Sequence, residues 1–523
     1  MKVFFTAVES SRFHLGKGKI MRLRKKIAVV GVATALVASV VLIAPAQAVS
    51  KDLVVGITLD IDKLDPQAAT SFATVRALGV VYGSLVEVGP KLDIRPGLAT
   101  SWGFNAAGTQ LRLHIRKGVK FHDGSTFDAQ DVKASIERIL DPATKAAARA
   151  NLLTITSITT SGLDVTLHLS TPNVPILAAL DGVNMAMLSS DDIKAGKIGK
   201  SVNGTGPFKF VSWEPGQSVK LEKNATYWGK APKLDTVTFR VIPSEASVLS
   251  ALNAGTVQFA VITDPLIAKQ VGKNLKMYKT PGLAYMVLQL NARKAPLNDV
   301  NVRLAIQCAI SRSEVVKTAQ SGEASIIGPI TSPAYRSNPN DRPCPNADIA
   351  KAKKYLANAG YATGLTIKSI VAPTQFATAS AIAQSLKSQL AKAGITLELE
   401  LVDDSTFISR WLAADFATAI ANNGGRIDPD TMYTRYFTST GNLNKVAGYS
   451  SATLDALFIK GKSTSKVAER KAAYRAISEE LENNAVWIWL FAPYEYRVTS
   501  KSLTGFVPLA TGSLIELRKA DLK

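Results

Sequence analysis

The stretch KFHDGSTFDAQDVKASIERIL, Lys120–Leu140, sets a histidine, a glycine, hydroxyls and aspartates ahead of a run with helical spacing. Such residues could form a catalytic loop, or they could turn the chain between two elements. The residues on either side favour the turn. Upstream, LRLHIR places Leu111, Leu113 and Ile115 on one face and Arg112, His114 and Arg116 on the other, the alternation of a half-buried strand. Asp123-Gly124 then turns the chain. Asp128 stands where an N-cap is needed, and Asp131 falls in the first turn, where a carboxylate favours the positive end of the helix dipole. Val132, Ile136, Ile139 and Leu140 follow at helical spacing. A strand, a turn and a capped helix account for every residue, and His122 needs no catalytic role.

The same grammar recurs downstream. Asp348 caps a helix through Lys354 and Leu356 that stops at Gly360. Ile382, Leu386 and Leu390 form the apolar stripe of another, ended by Gly394. ITLELEL follows, a strand with Ile395, Leu397, Leu399 and Leu401 facing one way. A charged helix from about Lys466 to Asn483 runs into VWIWLF, an apolar strand. Helices alternating with strands predict an α/β protein with covered sheets. No internal repeat is visible.

At 523 residues, 46% hydrophobic, the chain can bury two or three cores. Its start reads as a targeting segment. Arg22, Arg24, Lys25 and Lys26 precede the apolar run Ile27–Ile43, and Ala46-Gln47-Ala48 ends it, so residues 1–48 form a signal peptide cleaved after Ala48. The alternative is an uncleaved anchor. Met21 stands where such a signal would begin, which marks it as a candidate true start. No cysteine follows the apolar run, so no lipid anchor is expected there. An exported protein, periplasmic or extracellular at the outer face of the cytoplasmic membrane, is expected. The whole chain carries +21, and beyond Ala48 the count is 54 Lys/Arg against 40 Asp/Glu, or +14. That suits an anionic membrane face or cell wall. The basic residues are scattered, which argues against nucleic acid.

The two cysteines, Cys308 and Cys344, lie in a chain bound for an oxidising compartment and point to a disulfide. Closing 36 residues, it would be worth roughly 3–4 kcal/mol. Two unpaired thiols, one buried in the helix VRLAIQCAI, are the alternative.

Catalytic chemistry is hard to find. Only His114, His122 and His168 remain beyond the signal, two of them in alternating strand patterns. GxSxG, HExxH and P-loop patterns are missing, and no Cys/His spacing suits zinc. Asp403-Asp404 reads as solvated surface acids. A binding protein, not an enzyme, is expected, with no cofactor and no metal.

At this point the motifs resemble a known family. PGLATSW (Pro96–Trp102) and LRLHIRKGVKFHDGSTFDAQDVKASIERI (Leu111–Ile139) are similar to the signature of the family 5 extracellular solute-binding proteins, the peptide, nickel and opine receptors of ABC importers. LDP at Leu64–Pro66, GTGPFKF at Gly204–Phe210 and YWGKAPKLDTVTFRVIP at Tyr227–Pro243 follow in the family's order. So do LQLNARKAPLNDVNVRLAI at Leu288–Ile306, then AKKYLANAGY, DPDTMYTRYF and YSSATLDALF. Any single motif is weak; their number and order are specific.

The resemblance implies a two-lobed α/β receptor of the periplasmic-binding-protein kind that closes on its solute. Its discontinuous first lobe would span 49–282, including a subdomain of about 83–203, and return over 487–523. The second lobe would span 283–486, with hinge strands near AYMVLQLN and VWIWLF. The closed form would dock, as a monomer, on an ABC permease served by a cytoplasmic ATPase. An oligopeptide or peptide-like solute is the leading ligand class; a non-peptide, anionic solute is the alternative. A secreted enzyme and a cell-wall-binding module are readings from other classes.

Candidate ligand residues are carried over by position: Thr70, Ser71 and Phe72 after the LDP motif, Tyr285 at the entry to the second lobe, Tyr449 in GYSS and Trp489 on the return strand. Tyr285 and Trp489 could equally pack beneath the sheet, and Asp65 is expected to hold the turn at Pro66. The last group is ANNGGRIDPD, Ala421–Asp430. In peptide-binding members a tryptophan and then an acidic residue precede the Asp-Pro pair, and that carboxylate takes the peptide's ammonium. Here Asn422 stands at the tryptophan position, Asn423 follows, Gly425 stands at the acidic position, and Arg426 precedes Asp428-Pro429. An inward Arg426 would repel an ammonium and attract a carboxylate or phosphate. In the alternative Arg426 lies in solvent and Asp428 caps the next helix.

Overall fold

The computed structural model describes residues 50–523 apart from 375 and 377, and Ser50–Lys523 forms one compact unit. The signal peptide, its cleavage site and the alternative start lie outside the described residues. Among those described, no helix is long and apolar enough to cross a membrane.

The expected strand, turn and helix are all present at Lys120–Leu140. Gln110–Ile115 is a strand whose alternate residues Leu111, Leu113 and Ile115 are fully buried. It belongs to a four-stranded sheet with Ala99–Phe104, Asp164–Leu169 and Ile155–Ser161. Helix Ala129–Leu140 begins with a reciprocal capping box between Asp128 and Asp131, and its Val132, Ile136 and Ile139 join the same core. His122 is held between two backbone groups. Its Nε2 lies 3.0 Å from the Gly206 carbonyl, and its Nδ1 accepts from the Gly204 N–H at 3.3 Å. Burial lowers its pKa to about 4, so the ring is neutral and serves as a strut between two loops.

A twelve-stranded sheet runs through the rest of the unit. Its central member is one long strand, Trp487–Ser500, which begins as the expected VWIWLF segment. The first half of that strand pairs with Tyr285–Leu290 and Ala324–Ile326, and the second half pairs with Phe259–Ile262 and Leu275–Pro281. The apolar cores divide in the same way. Around the first half, alternation sends Leu288, Leu290, Ile488 and Leu490 to one face and Tyr285, Val287, Trp487 and Trp489 to the other. Both faces are therefore covered. Around the second half lie cores built from residues 53–278 and 496–520.

The downstream helices follow their predicted signals. Asp348 caps Ile349–Asn358, and Gly360 beyond it adopts φ +84°. Ala379–Lys392 buries Ile382, Leu386 and Leu390, and Gly394 turns at φ +86°. The expected strand over Ile395–Leu401 also forms, and its one face is only partly covered. In Ile395–Leu401 only Ile395 and Leu397 are buried, and Leu401 is 66% exposed. This strand lies at the end of the sheet, paired only with Leu365–Val371, so its last residue has nothing to face. Cys308 and Cys344 are bonded, tying helix Val300–Ala309 to the loop before Ile349.

Candidate functional site

The two groups of cores are joined where the chain passes Gly282 and Leu283 and again at Pro493 and Tyr494. The Gly282 N–H donates to the Pro493 carbonyl at 3.1 Å, which locks the two crossings side by side. The segment Ala421–Asp430 meets this junction. Strand Thr418–Asn423 pairs with Tyr285–Leu290, and the chain then bends over Leu283. A Cβ on Gly425 would sit 1.9 Å from the Leu283 carbonyl oxygen, so only glycine allows the bend. The same carbonyl accepts from Thr331 Oγ1 at 3.0 Å, and Ser332 Oγ donates to the Arg426 carbonyl at 2.7 Å. The Arg426 backbone is thus pinned at the junction.

Its side chain is not. Arg426 is solvent-accessible, and its guanidinium donates only to the Gly425 carbonyl, at 3.1 Å, among the described residues. Surrounding protein nevertheless desolvates it and lowers its pKa, with the Arg435 charge adding to the effect and Tyr436 opposing it. Asn422 and Gly424 are exposed beside it. Two residues on, Asp428 is buried and takes a bidentate grip from Arg470 Nη2 at 2.6 and 2.9 Å. Burial raises the Asp428 pKa, and the Arg470 charge opposes that rise. Asp428 also accepts from the Asp430 N–H at 3.1 Å, so it helps start helix Asp430–Phe437 while its charge serves the ion pair. Asp430 Oδ1 is buried without a partner among the described residues, and burial beside Asp428 pushes this carboxyl up to about 7.

The other candidate residues separate into open and closed sets. Phe72 is 73% exposed, with the Arg76 guanidinium 5.8 Å from its ring centre. Thr70 donates to Asp62 at 2.9 Å, and Ser71 caps the short helix Phe72–Leu78. Sequence reasoning passed over the groups behind them. Arg76 lies 3.8 Å from Glu495, which lies 2.7 Å from Arg497, and Glu495 and Arg497 belong to the long central strand. No local signal marks Glu495, because one of its two partners, Arg76, lies some 400 residues away in the chain.

Tyr285, Asn423, Asp428 and Trp489 are buried, and for Tyr285 and Trp489 this is the packed alternative. Tyr285 is fully buried, stacked on Tyr433 at 6.2 Å, and its hydroxyl accepts from Asn423 at 3.3 Å. Trp489 is fully buried in the aromatic core with Trp487 and Phe437. Tyr449 is half-buried and donates its hydroxyl to Glu480 at 3.1 Å. Asp65 holds its turn as expected, accepting from the Gln67 N–H at 3.0 Å and pairing with Arg138. Among the described residues no cluster of acids, histidines or cysteines suits a metal ion.

Comparison with known proteins gives this geometry a context. A model of the bacterial extracellular solute-binding proteins, family 5 (Middle), matches residues 93–444. The glutathione-binding protein GsiB of Escherichia coli K12 is 27% identical over 511 residues, 92% of this chain and 96% of that protein. Two solved structures share similar identity. The binding protein AgaA of A. tumefaciens R10, in complex with agropinic acid, is 27% identical with a TM-score of 0.77, covering 90% of this chain and 99% of its own. DppA of Helicobacter pylori, an ABC transporter-associated periplasmic binding protein in complex with the peptide STSA, is 28% identical with a TM-score of 0.76, covering 90% and 98%.

Proposed function

The chain belongs to family 5 of the bacterial extracellular solute-binding proteins, and from that premise we propose that it captures a peptide-like solute bearing a carboxylate, held beside Arg426. As a member of that family it is a solute receptor of an ABC importer. The lobes are read as 49–282 with 487–523 and as 283–486, a division supported by the grouping of the apolar cores about the central strand. Solute contacts from both lobes would stabilise the closed form, and only the difference in affinity between open and closed states drives closure. A monomer docking on its permease, with a cytoplasmic ATPase supplying the energy, completes the reading.

One observation carries the choice of solute. Arg426 is an accessible, partly desolvated cation on a pinned backbone, and the neighbouring Gly425 has no room for the carboxylate that would receive an ammonium. A cation so placed favours a solute carboxylate, because charge-assisted bonds gain strength where water is scarce. Names among the relatives agree with that chemistry, since glutathione and agropinic acid are both organic acids. Phe72, Thr70 and Asn422 are the exposed candidates that would complete the pocket.

Intrinsic fluorescence and melting temperature, titrated with an anionic tripeptide such as glutathione and with a neutral free-amine dipeptide, test the reading. Saturable changes with the anionic solute and weaker ones with the dipeptide are expected. The reverse order would overturn the ligand class, and no response to peptides, sugars or chelates would overturn the receptor reading.

A further inference from the structure

Helix Val300–Ala309, the loop holding Arg342 and the end of helix Val467–Asn483 enclose a group of charges that do not balance. Arg312 is 2% exposed, and the side chains of Arg342 and Glu482 are 0% and 1% exposed. Arg342 Nη2 lies 3.0 Å from Glu482 Oε1, and Gln307 Nε2 donates to Glu482 Oε2 at 2.9 Å. Arg312 Nε donates to the Trp489 carbonyl at 2.8 Å, and Arg342 Nη2 donates to the Ile327 carbonyl at 2.6 Å. These contacts leave the donors Arg312 Nη1 and Nη2 and Arg342 Nε, and the acceptors Gln307 Oε1 and Glu482 Oε1, without a hydrogen-bond partner among the described residues. Burial lowers the Arg312 pKa, the Arg342 charge adds to the effect and the Glu482 charge opposes it.

Two buried cations therefore meet at the Trp489 carbonyl, which accepts from Arg312 Nε at 2.8 Å and Arg342 Nη1 at 3.4 Å, and only Arg342 is paired with the one buried carboxylate. A guanidinium keeps its proton and can only donate, so both excess charge and unmet donors must be met by something that accepts. Water would satisfy the donors and leave a full positive charge in a medium of low dielectric constant. A monovalent anion would satisfy both at once. We propose that Arg312 and Arg342 bind a small monovalent anion of the chloride class within the core of the second lobe. The surrounding covalent framework suits a fixed site. The Cys308–Cys344 bond joins the residue after Gln307 to one two positions beyond Arg342, which restrains the groups that hold Glu482. The anion would tie the helix starting at Arg312, the central strand at Trp489 and the helix ending near Glu482 into one unit.

Crystals of the exported protein grown in sodium bromide should show an anomalous peak within hydrogen-bonding distance of the Arg312 guanidinium. Protein dialysed into sodium gluconate and titrated with sodium chloride at constant ionic strength should show a saturable rise in melting temperature, on the order of a few degrees. Arg312→Met should abolish that rise, and Glu482→Gln should enlarge it. An absent bromide peak, an equal shift with gluconate or an undiminished chloride response in Arg312→Met would overturn the proposal. If neither variant folds, the bromide experiment on the native chain decides it.

Discussion

Lys120–Leu140 and Ala421–Asp430 look alike as sequence: each leaves a strand, turns on glycine and aspartate, and starts a helix. The structure separates them by what their polar groups touch. In the first, Asp123 binds Ser125 and Asn203, Asp128 and Asp131 cap each other's backbone, and His122 spans two loops. The three aspartates there are used for the turn, for the helix start or for the segments beside them. In the second, Asp428 is spent on Arg470, whereas Arg426 keeps only one backbone carbonyl. A turn that satisfies itself is scaffold. A turn that leaves a desolvated charge unspent beside a junction of cores is where a solute can supply the missing partner.

Three perturbations probe that contrast. The largest effect is expected from Asp428→Ala, which strands the buried Arg470 charge and should cost about 3–5 kcal/mol by chemical denaturation. A loss comparable to that of an exposed acid would place Asp428 on the solute side instead. Next comes pH. His122 has a folded pKa of about 4, below its ordinary 6.5, so the native state holds the neutral ring. As pH falls below 6.5 the unfolded chain takes up a proton that the folded chain refuses, and stability drops until about pH 4. The loss should reach roughly 3 kcal/mol and be missing from His122→Asn. Identical profiles for the two proteins would remove His122 from the scaffold. The smallest effect is Asp128→Ala, where losing an N-cap should cost about 1 kcal/mol and leave solute affinity unchanged.

The two stretches also show how far sequence alone reaches. Alternation in LRLHIR, the Asp128 cap and the glycines at 360 and 394 are local signals, and local signals survived folding. Leu401 is exposed on its strand because alternation says which face a residue takes but not whether a neighbouring element covers it. The interior placement of Tyr285 and Trp489 was one of two readings, since an aromatic on a strand fits a pocket wall and a core equally well. Two features were out of reach. The clash that reserves position 425 for glycine comes from Leu283, and the network behind Phe72 runs through Glu495. Both depend on segments brought together only by the crossing of the central strand.

The direct test of the account is calorimetry with one short peptide in two forms, free amine and N-acetylated, on the wild type and on Arg426→Ala. The wild type should bind the N-acetyl form more tightly, because acetylation removes the ammonium that the Arg426 guanidinium repels. Arg426→Ala should weaken the N-acetyl form by the lost carboxylate contact, about 1.5–3 kcal/mol, and weaken the free amine less because its repulsion is removed as well. Tighter binding of the free amine, with Arg426→Ala neutral for both forms, would contradict the central claim that Arg426 receives a solute carboxylate.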